Sequence, residues 1–242
     1  KTRSLVERLN HIVRIGLPPG RGVACITYTN AAADEIASRL EAGSRPMFLG
    51  TIHSFLLQYV LYPYGHWLPE VQIGFDLVTS GFARRHLRWM VHEGYIKSSK
   101  AHVPDVVAAF EAIGYRKDGS LKSFRPSGLN PAEMQAFVDR RLSEGELSQH
   151  DVLWFAWRIL SNPEWAHICE ALSCRFAVIL VDEFQDTTEL QFEALKCIRA
   201  FGRTALWLVG DAEQSIFGFA GASPSSHQEA AHLFQTRHLS TC

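Results

Sequence analysis

In Ile179-Leu180-Val181-Asp182-Glu183-Phe184-Gln185-Asp186-Thr187 an apolar run hands two adjacent carboxylates to its carboxyl end. Ala177 and Val178 extend the run backwards. Its hydrophobicity is continuous rather than alternating, which implies burial on both faces, as in a central strand of a parallel sheet. Asp182 is suited to hold the Mg²⁺ of a bound nucleotide, directly or through water, and Glu183 to orient and deprotonate an attacking water. A bare Asp-Glu pair after a strand is also a common acidic turn, but the Gln-Asp-Thr that follows weighs against that reading.

Working outward, three more runs have the same character: residues 23–28 (Val-Ala-Cys-Ile-Thr-Tyr), 47–51 (Met-Phe-Leu-Gly-Thr) and 205–209 (Ala-Leu-Trp-Leu-Val). Each ends in small polar or acidic residues, and helical patterns are expected over 30–40, 54–60 and 187–198. Strand, polar turn and helix in repetition predict a doubly wound α/β domain. Ligands of such sheets sit at the carboxyl ends of the strands, where the polar residues cluster here. Between about 61 and 170 no strand-like run of comparable quality occurs, and helical periodicity recurs over 82–91, 103–113, 131–142 and 151–160. Gly119-Ser120 and Pro126-Ser127-Gly128 separate those segments. The expected organisation is a parallel-sheet domain in two parts, 1–60 and 171–242, interrupted by an α-helical subdomain at 61–170.

A second chemical segment runs Leu208-Val209-Gly210-Asp211-Ala212-Glu213-Gln214-Ser215-Ile216-Phe217-Gly218-Phe219-Ala220-Gly221-Ala222. Gln214 is placed to reach a terminal phosphate, and Phe217 and Phe219 offer stacking faces to an unpaired base. Alone, it reads equally well as a strand, a turn and core aromatics. Taken with 179–187, it resembles the second and third helicase motifs of the UvrD/Rep/PcrA family of superfamily 1. In that register Ile26-Thr27-Tyr28-Thr29-Asn30-Ala31-Ala32-Ala33 and Gly50-Thr51-Ile52-His53-Ser54-Phe55 resemble two earlier motifs, and Asp151-Val152-Leu153 the stretch before the acidic one. The segments occur in the family's order and spacing across the whole chain. Lys1-Thr2, meaningless alone, then resembles the end of the family's Gly-Lys-Thr phosphate loop.

The resemblance implies a RecA-like P-loop NTPase domain that uses ATP and Mg²⁺. Carried over, Lys1 and Thr2 would bind the phosphates and Mg²⁺, Asp182 would hold Mg²⁺, Glu183 would be the catalytic base and Gln214 would sense the γ-phosphate. Thr29, Asn30, Thr51, His53 and Ser54 would meet the phosphates or sugars of single-stranded DNA or of a single/double-strand junction, and Phe219 would stack on a base. The implied activity is that of an ATP-dependent DNA helicase or translocase, typically 3′ to 5′, in repair, replication or recombination. The alternative is a helicase-like ATPase subunit of a nuclease complex, in recombination or anti-phage defence, with a nuclease partner. Two departures lean mildly that way. Ala220 stands where Arg is usual, and Ile52 where an aromatic is usual. A chain that begins at Lys1 without Met and stops at Ser240-Thr241-Cys242 is expected to be cut inside the phosphate loop and before a second motor domain.

Bulk composition adds limits. The chain has 242 residues, 47% hydrophobic, with 24 Lys plus Arg against 25 Asp plus Glu. This balance carries no sign of nucleic-acid binding, so that claim rests on particular residues. The inserted segment is not a basic wrapper, with 12 Lys plus Arg against 13 Asp plus Glu at 61–170. Its local set Arg116, Lys117, Lys122 and Arg125, with Tyr115 and Phe124, reads more readily as a solvated loop than as a duplex contact. Five scattered cysteines fit reduced thiols of a cytoplasmic protein. His167, Cys169 and Cys174 lack the second ligand pair that a zinc site needs. No membrane-spanning run is present.

Overall fold

The computed structural model describes residues 2–41, 47–71, 74–125, 128–211, 229–230 and 232–235. Among these, the strands are β1 (Gly22–Thr27), β2 (Phe48–Thr51), β3 (Asp76–Leu77), β4 (Ile113–Tyr115), β5 (Leu121–Ser123), β6 (Glu146–Leu147), β7 (Phe176–Val181) and β8 (Ala205–Leu208). The chain separates into two compact units, residues 1–52 with 170–242, and residues 53–169.

The first unit is built on one parallel sheet of order β2-β1-β7-β8. All four expected strands are in it, and the fold is α/β. Every residue of β1 is buried, as a strand covered on both faces must be. Helix Thr2–Ile15 lays Leu5, Val6, Leu9 and Ile12 against Val23, Cys25 and Leu180. Its last turn is followed by only six residues, 16–21, before β1 starts. The helix therefore runs antiparallel to the strands and aims its N terminus at their carboxyl edge. Arg21 ties down the opposite edge. Its guanidinium donates to the carbonyl oxygens of Cys174 (2.9 Å), Ser173 (2.8 Å), Phe176 (3.2 Å) and Arg203.

The second unit is mainly helical, with Ala83–His92, Pro104–Glu111 and Pro131–Ser143 closing on Leu87, Met90, Phe110, Phe137 and Val138. Helix Gln149–Ser161 starts with a capping box, Ser148 with Asp151, and Pro131–Ser143 with another, Asn130 with Glu133. Two small pairings depart from the all-helical expectation: β3 runs parallel to β6, and β4 antiparallel to β5. Strands of two or three residues hold too few positions to show alternation. Gly119-Ser120, expected as a separator, is instead part of the turn of the β4–β5 hairpin, with Gly119 at φ +84°. The hairpin also takes in part of the basic set. Tyr115 stacks on Trp154 (4.9 Å, 6°), and Phe124 both stacks on His150 and carries the Lys122 ammonium over its ring.

An ion pair buried in this unit joins the hairpin to two helices. Asp151, fully buried, accepts from Arg141 Nη2 (2.8 Å), Tyr115 Oη (3.0 Å) and the Ser148 backbone N–H (2.6 Å). Arg141 also donates to the Glu146 carbonyl at 2.7 Å. The carboxylate and both terminal guanidinium nitrogens are thus answered by partners, as a buried charge requires, while Arg141 Nε makes no hydrogen bond.

Candidate nucleotide site at the carboxyl edge of the sheet

Register places the candidate residues of the first unit on one edge. Thr27 pairs with Thr51, Ile26 with Val181, and Val181 with Leu208. Hence the turns after β1, β2, β7 and β8 leave the sheet side by side. Pairing continues past the strand ends, with Asp182 N–H donating to Ile26 O (2.8 Å) and Phe184 N–H to Val209 O (2.9 Å). Asp182 and Glu183 therefore sit between the segments at 26–30 and 209–211.

Asp182 is buried, only 6% exposed, directly beyond the strand. Its charge, after burial itself, helps push the Cys25 thiol up to about 12, so that thiol stays protonated. Glu183 takes a left-handed backbone, φ 49° and ψ 46°, and among the described residues no other non-glycine has a positive φ. L-residues pay roughly 1–2 kcal/mol for this conformation. It turns the chain sharply into the one-turn helix Phe184–Asp186.

Gln185 secures the result. Its Nε2 donates to Glu183 Oε2 at 2.6 Å, and its Oε1 accepts the Asp211 N–H at 2.9 Å. Gly210 makes room for it: a Cβ there would lie 2.8 Å from Gln185 Oε1 and 3.1 Å from Gln185 N. Gln185 and Gly210 each lie within one of the two motif segments, but their joint role depends on contact between turns distant in sequence. Tyr28 is another residue that motif spacing did not assign a role. It is 42% exposed, and burial followed by the charge of Asp186 raises its pKa.

Thr2 opens helix Thr2–Ile15. Arg8, farther along, stacks over Trp207 of β8 at 4.0 Å, so Thr2 lies beyond it toward the carboxyl edge. The Thr29 hydroxyl caps helix Asn30–Arg39 by accepting from Ala32 N at 3.1 Å, and its carbonyl accepts from the Thr27 hydroxyl at 2.8 Å. Two helix N termini thus face this edge, an arrangement that attracts anions. Thr51 ends β2, and Ile52 is buried, so the departure from an aromatic is filled by packing. In the second unit His53 and Ser54 lie in the first turn of its opening helix. Burial, and then the charge of His150, hold the His53 pKa down to about 4, leaving a neutral imidazole at neutral pH. Lys1, Gln214, Phe217, Phe219 and Ala220 lie outside the described residues.

The donor set suits a hard divalent cation beside a polyphosphate. Asp182, Glu183, Asp186 and Asp211 supply carboxylates on two neighbouring turns, and Thr2 a hydroxyl. Among the described residues, the His, Cys, Asp and Glu ligand atoms close enough to share one ion are those of a different grouping, His86, Glu144 and Glu146. Guanidinium groups already pair with both carboxylates, Arg85 with Glu146 and Arg140 with Glu144, and His86 Nε2 meets Glu146 Oε2 at 2.8 Å. Its two ring nitrogens face different carboxylates, so this is a structural knot. Of the suggested zinc ligands, Cys169 donates to the Leu160 carbonyl, and Cys174 accepts from Arg203.

The parallel sheet, with its polar carboxyl edge and helix N termini, defines a doubly wound α/β domain whose ligands bind at that edge. The chain belongs to the family described as UvrD/REP helicase N-terminal domain, which it matches over residues 1–235. It is 28% identical to the ATP-dependent DNA helicase UvrD2 of Mycobacterium tuberculosis H37Rv, over 93% of this chain and 34% of that protein. It is 26% identical to DNA helicase II of Escherichia coli K12, over 97% of this chain and 33% of the relative. A shorter match, 30% identical over 56% of this chain and 12% of the relative, is to an ATP-dependent helicase/nuclease subunit of Lactobacillus acidophilus. The chain spans about a third of the length of the first two. No helix among the described residues is long and apolar enough to cross a membrane.

Proposed function

We propose that this chain is the ATP-binding part of a DNA-dependent motor, an ATP-dependent helicase or translocase moving 3′ to 5′ on single-stranded DNA. The observation that carries the reading is the strand register, which sets Asp182-Glu183 between the turns after β1 and β8. Asp182 and the Thr2 hydroxyl would hold Mg²⁺, and Lys1 would hold the phosphates. Mg²⁺ when bound neutralises phosphate charge. Glu183 orients and deprotonates the attacking water, Gln185 keeps its carboxylate in place, and Gln214 reports the terminal phosphate to the DNA-binding residues. Thr29, Asn30 and Thr51 of the first unit, His53 and Ser54 of the second, and Phe219 contact the strand through phosphate, sugar and stacking. Such contacts read little sequence, as a translocase requires. The segment 61–170 forms a subdomain inserted into the motor.

The test is ATP turnover by the protein that carries this chain, with and without single-stranded DNA, against Glu183→Gln. Strong stimulation by DNA, abolished in Glu183→Gln, is expected. Turnover indifferent to DNA, or undiminished in the variant, overturns the reading. A second reading is favoured by the helicase/nuclease relative. In it the same ATPase site serves a nuclease complex, recombinational or antiviral. Strand unwinding by the isolated protein supports the first; unwinding that needs an added nuclease component supports the second.

A further inference from the structure

The helix that carries His53 and Ser54 is not uniform. Residues Ile52–Leu56 are α-helical, Leu57–Leu61 form a wider π turn, and Tyr62–Tyr64 return to α geometry. Pro63 accounts for the change. It has no N–H to give the carbonyl of Tyr59, four residues back, and in a regular α turn its ring would strike that oxygen. The chain opens instead, and Tyr62 N–H donates to Leu57 O, five residues back. Such π turns inside α-helices are frequent at functional sites.

The extra residue rotates everything after it by about 100° relative to a regular helix. Ile52, Phe55, Leu56, Tyr59 and Val60 keep the buried spacing, and Leu61 joins them at 1% exposure. Tyr62 is turned outward and left 64% exposed. Its ring lies nearly parallel to that of Phe75, with centroids 5.7 Å apart and 6° between planes. One side of the phenol ring is therefore backed by a second ring of the same unit. Ser54, Gln58 and Tyr62 are all exposed along this helix. They supply in order a hydroxyl, a carboxamide and an aromatic face over about 12 Å of helix axis.

We propose that Tyr62, backed by Phe75, is a stacking ledge for an unpaired base of a nucleic-acid strand, with Gln58 bonding the backbone between it and Ser54. The assignment rests on the reading above that His53 and Ser54 touch single-stranded DNA. It adds residues that no motif marked. A ring held by another ring loses little freedom when a base stacks on it, and every base has a face to offer, so the ledge is blind to sequence.

Affinity for a fluorescein-labelled oligo-dT strand, measured on the protein that carries this chain, tests it. Tyr62→Ala is expected to weaken binding about ten-fold, the scale of one lost stacking platform. Tyr62→Phe and Tyr62→Trp keep the affinity. A 2-aminopurine placed along the strand is quenched at one position in the wild type and in Tyr62→Phe, and that quench disappears in Tyr62→Ala. Unchanged affinity and quench in Tyr62→Ala overturn the ledge while leaving the DNA reading intact. Equal losses in Tyr62→Phe and Tyr62→Ala overturn stacking in favour of the hydroxyl. A wild-type protein that binds no single strand overturns the functional reading and the ledge with it.

Discussion

Gln185 grips the carboxylate of Glu183, its Nε2 donating at 2.6 Å, while its oxygen accepts the N–H of Asp211 at 2.9 Å. One side chain, only 6% exposed, thus links the turn after β7 to the turn after β8. The two acidic turns keep a common geometry because of it, and the carboxylate proposed as the base is oriented rather than left to rotate.

Gln185→Glu keeps an acceptor for Asp211 but replaces the donor with a charge facing Glu183. ATP turnover should fall about 100-fold, toward the scale of a lost general base, with nucleotide affinity little changed. Gly210→Ala should act in the same direction, because its Cβ would meet Gln185 Oε1 at 2.8 Å and the Phe184 N at 3.2 Å. Turnover and nucleotide titrations on both variants check this. A matched loss of affinity and rate would show that Gln185 serves folding alone.

Glu183 combines a strained backbone with a proposed chemical role. Glu183→Gly relieves the left-handed conformation, worth roughly 1 kcal/mol, and removes the carboxylate. The expected outcome is a thermal midpoint equal to or above that of the wild type, with hydrolysis abolished. A variant that melts clearly earlier would mean that the carboxylate is needed for the fold.

Three histidines of the second unit have lowered pKa values. Burial is the first cause in each: His53, down to about 4, His86 and His150. At His86 the charge of Glu144 opposes the shift, while Arg85, Arg141 and Arg140 reinforce it. An unfolded histidine takes its proton near about pH 6.5. Between that value and the folded one, the unfolded chain binds more protons, so acid favours unfolding. Stability of this unit is full above about pH 6.5 and should decline steadily toward about pH 4. Urea midpoints across that range measure it, and a flat profile would contradict the assignment.

Asp151→Ala strands the Arg141 guanidinium, 1% exposed, without its carboxylate. Removing one partner of a buried pair costs about 3–5 kcal/mol. Replacing both, as Arg141→Met with Asp151→Leu, should cost less than the single change. Denaturant unfolding monitored by tryptophan fluorescence separates the two, since Trp154 stacks on Tyr115 beside the pair.

Several features are legible in the sequence alone. The four apolar runs of the parallel sheet, the helices between them and the acidic pair at the end of β7 all follow from local pattern. A run without polar alternation can be satisfied only between two covered faces, and its polar continuation must then emerge at the sheet edge. The longer helices of the second unit were legible for a related reason, as thirteen residues hold enough turns to display a stripe.

What sequence alone determined about this protein is therefore the order of the four main strands and the longer helices and which end of the sheet gathers its polar residues. Tertiary structure decided the rest. The left-handed Glu183, the Gln185 bridge to Asp211 and the clearance at Gly210 depend on two turns 26 residues apart meeting. The pairing of β4 with β5 and the parallel rings of Tyr62 and Phe75 likewise join positions that no local period connects. Periodicity reports which face of an element is buried, because burial repeats along the chain. It does not report which partner is met there, because that contact is made once, between segments brought together only by folding.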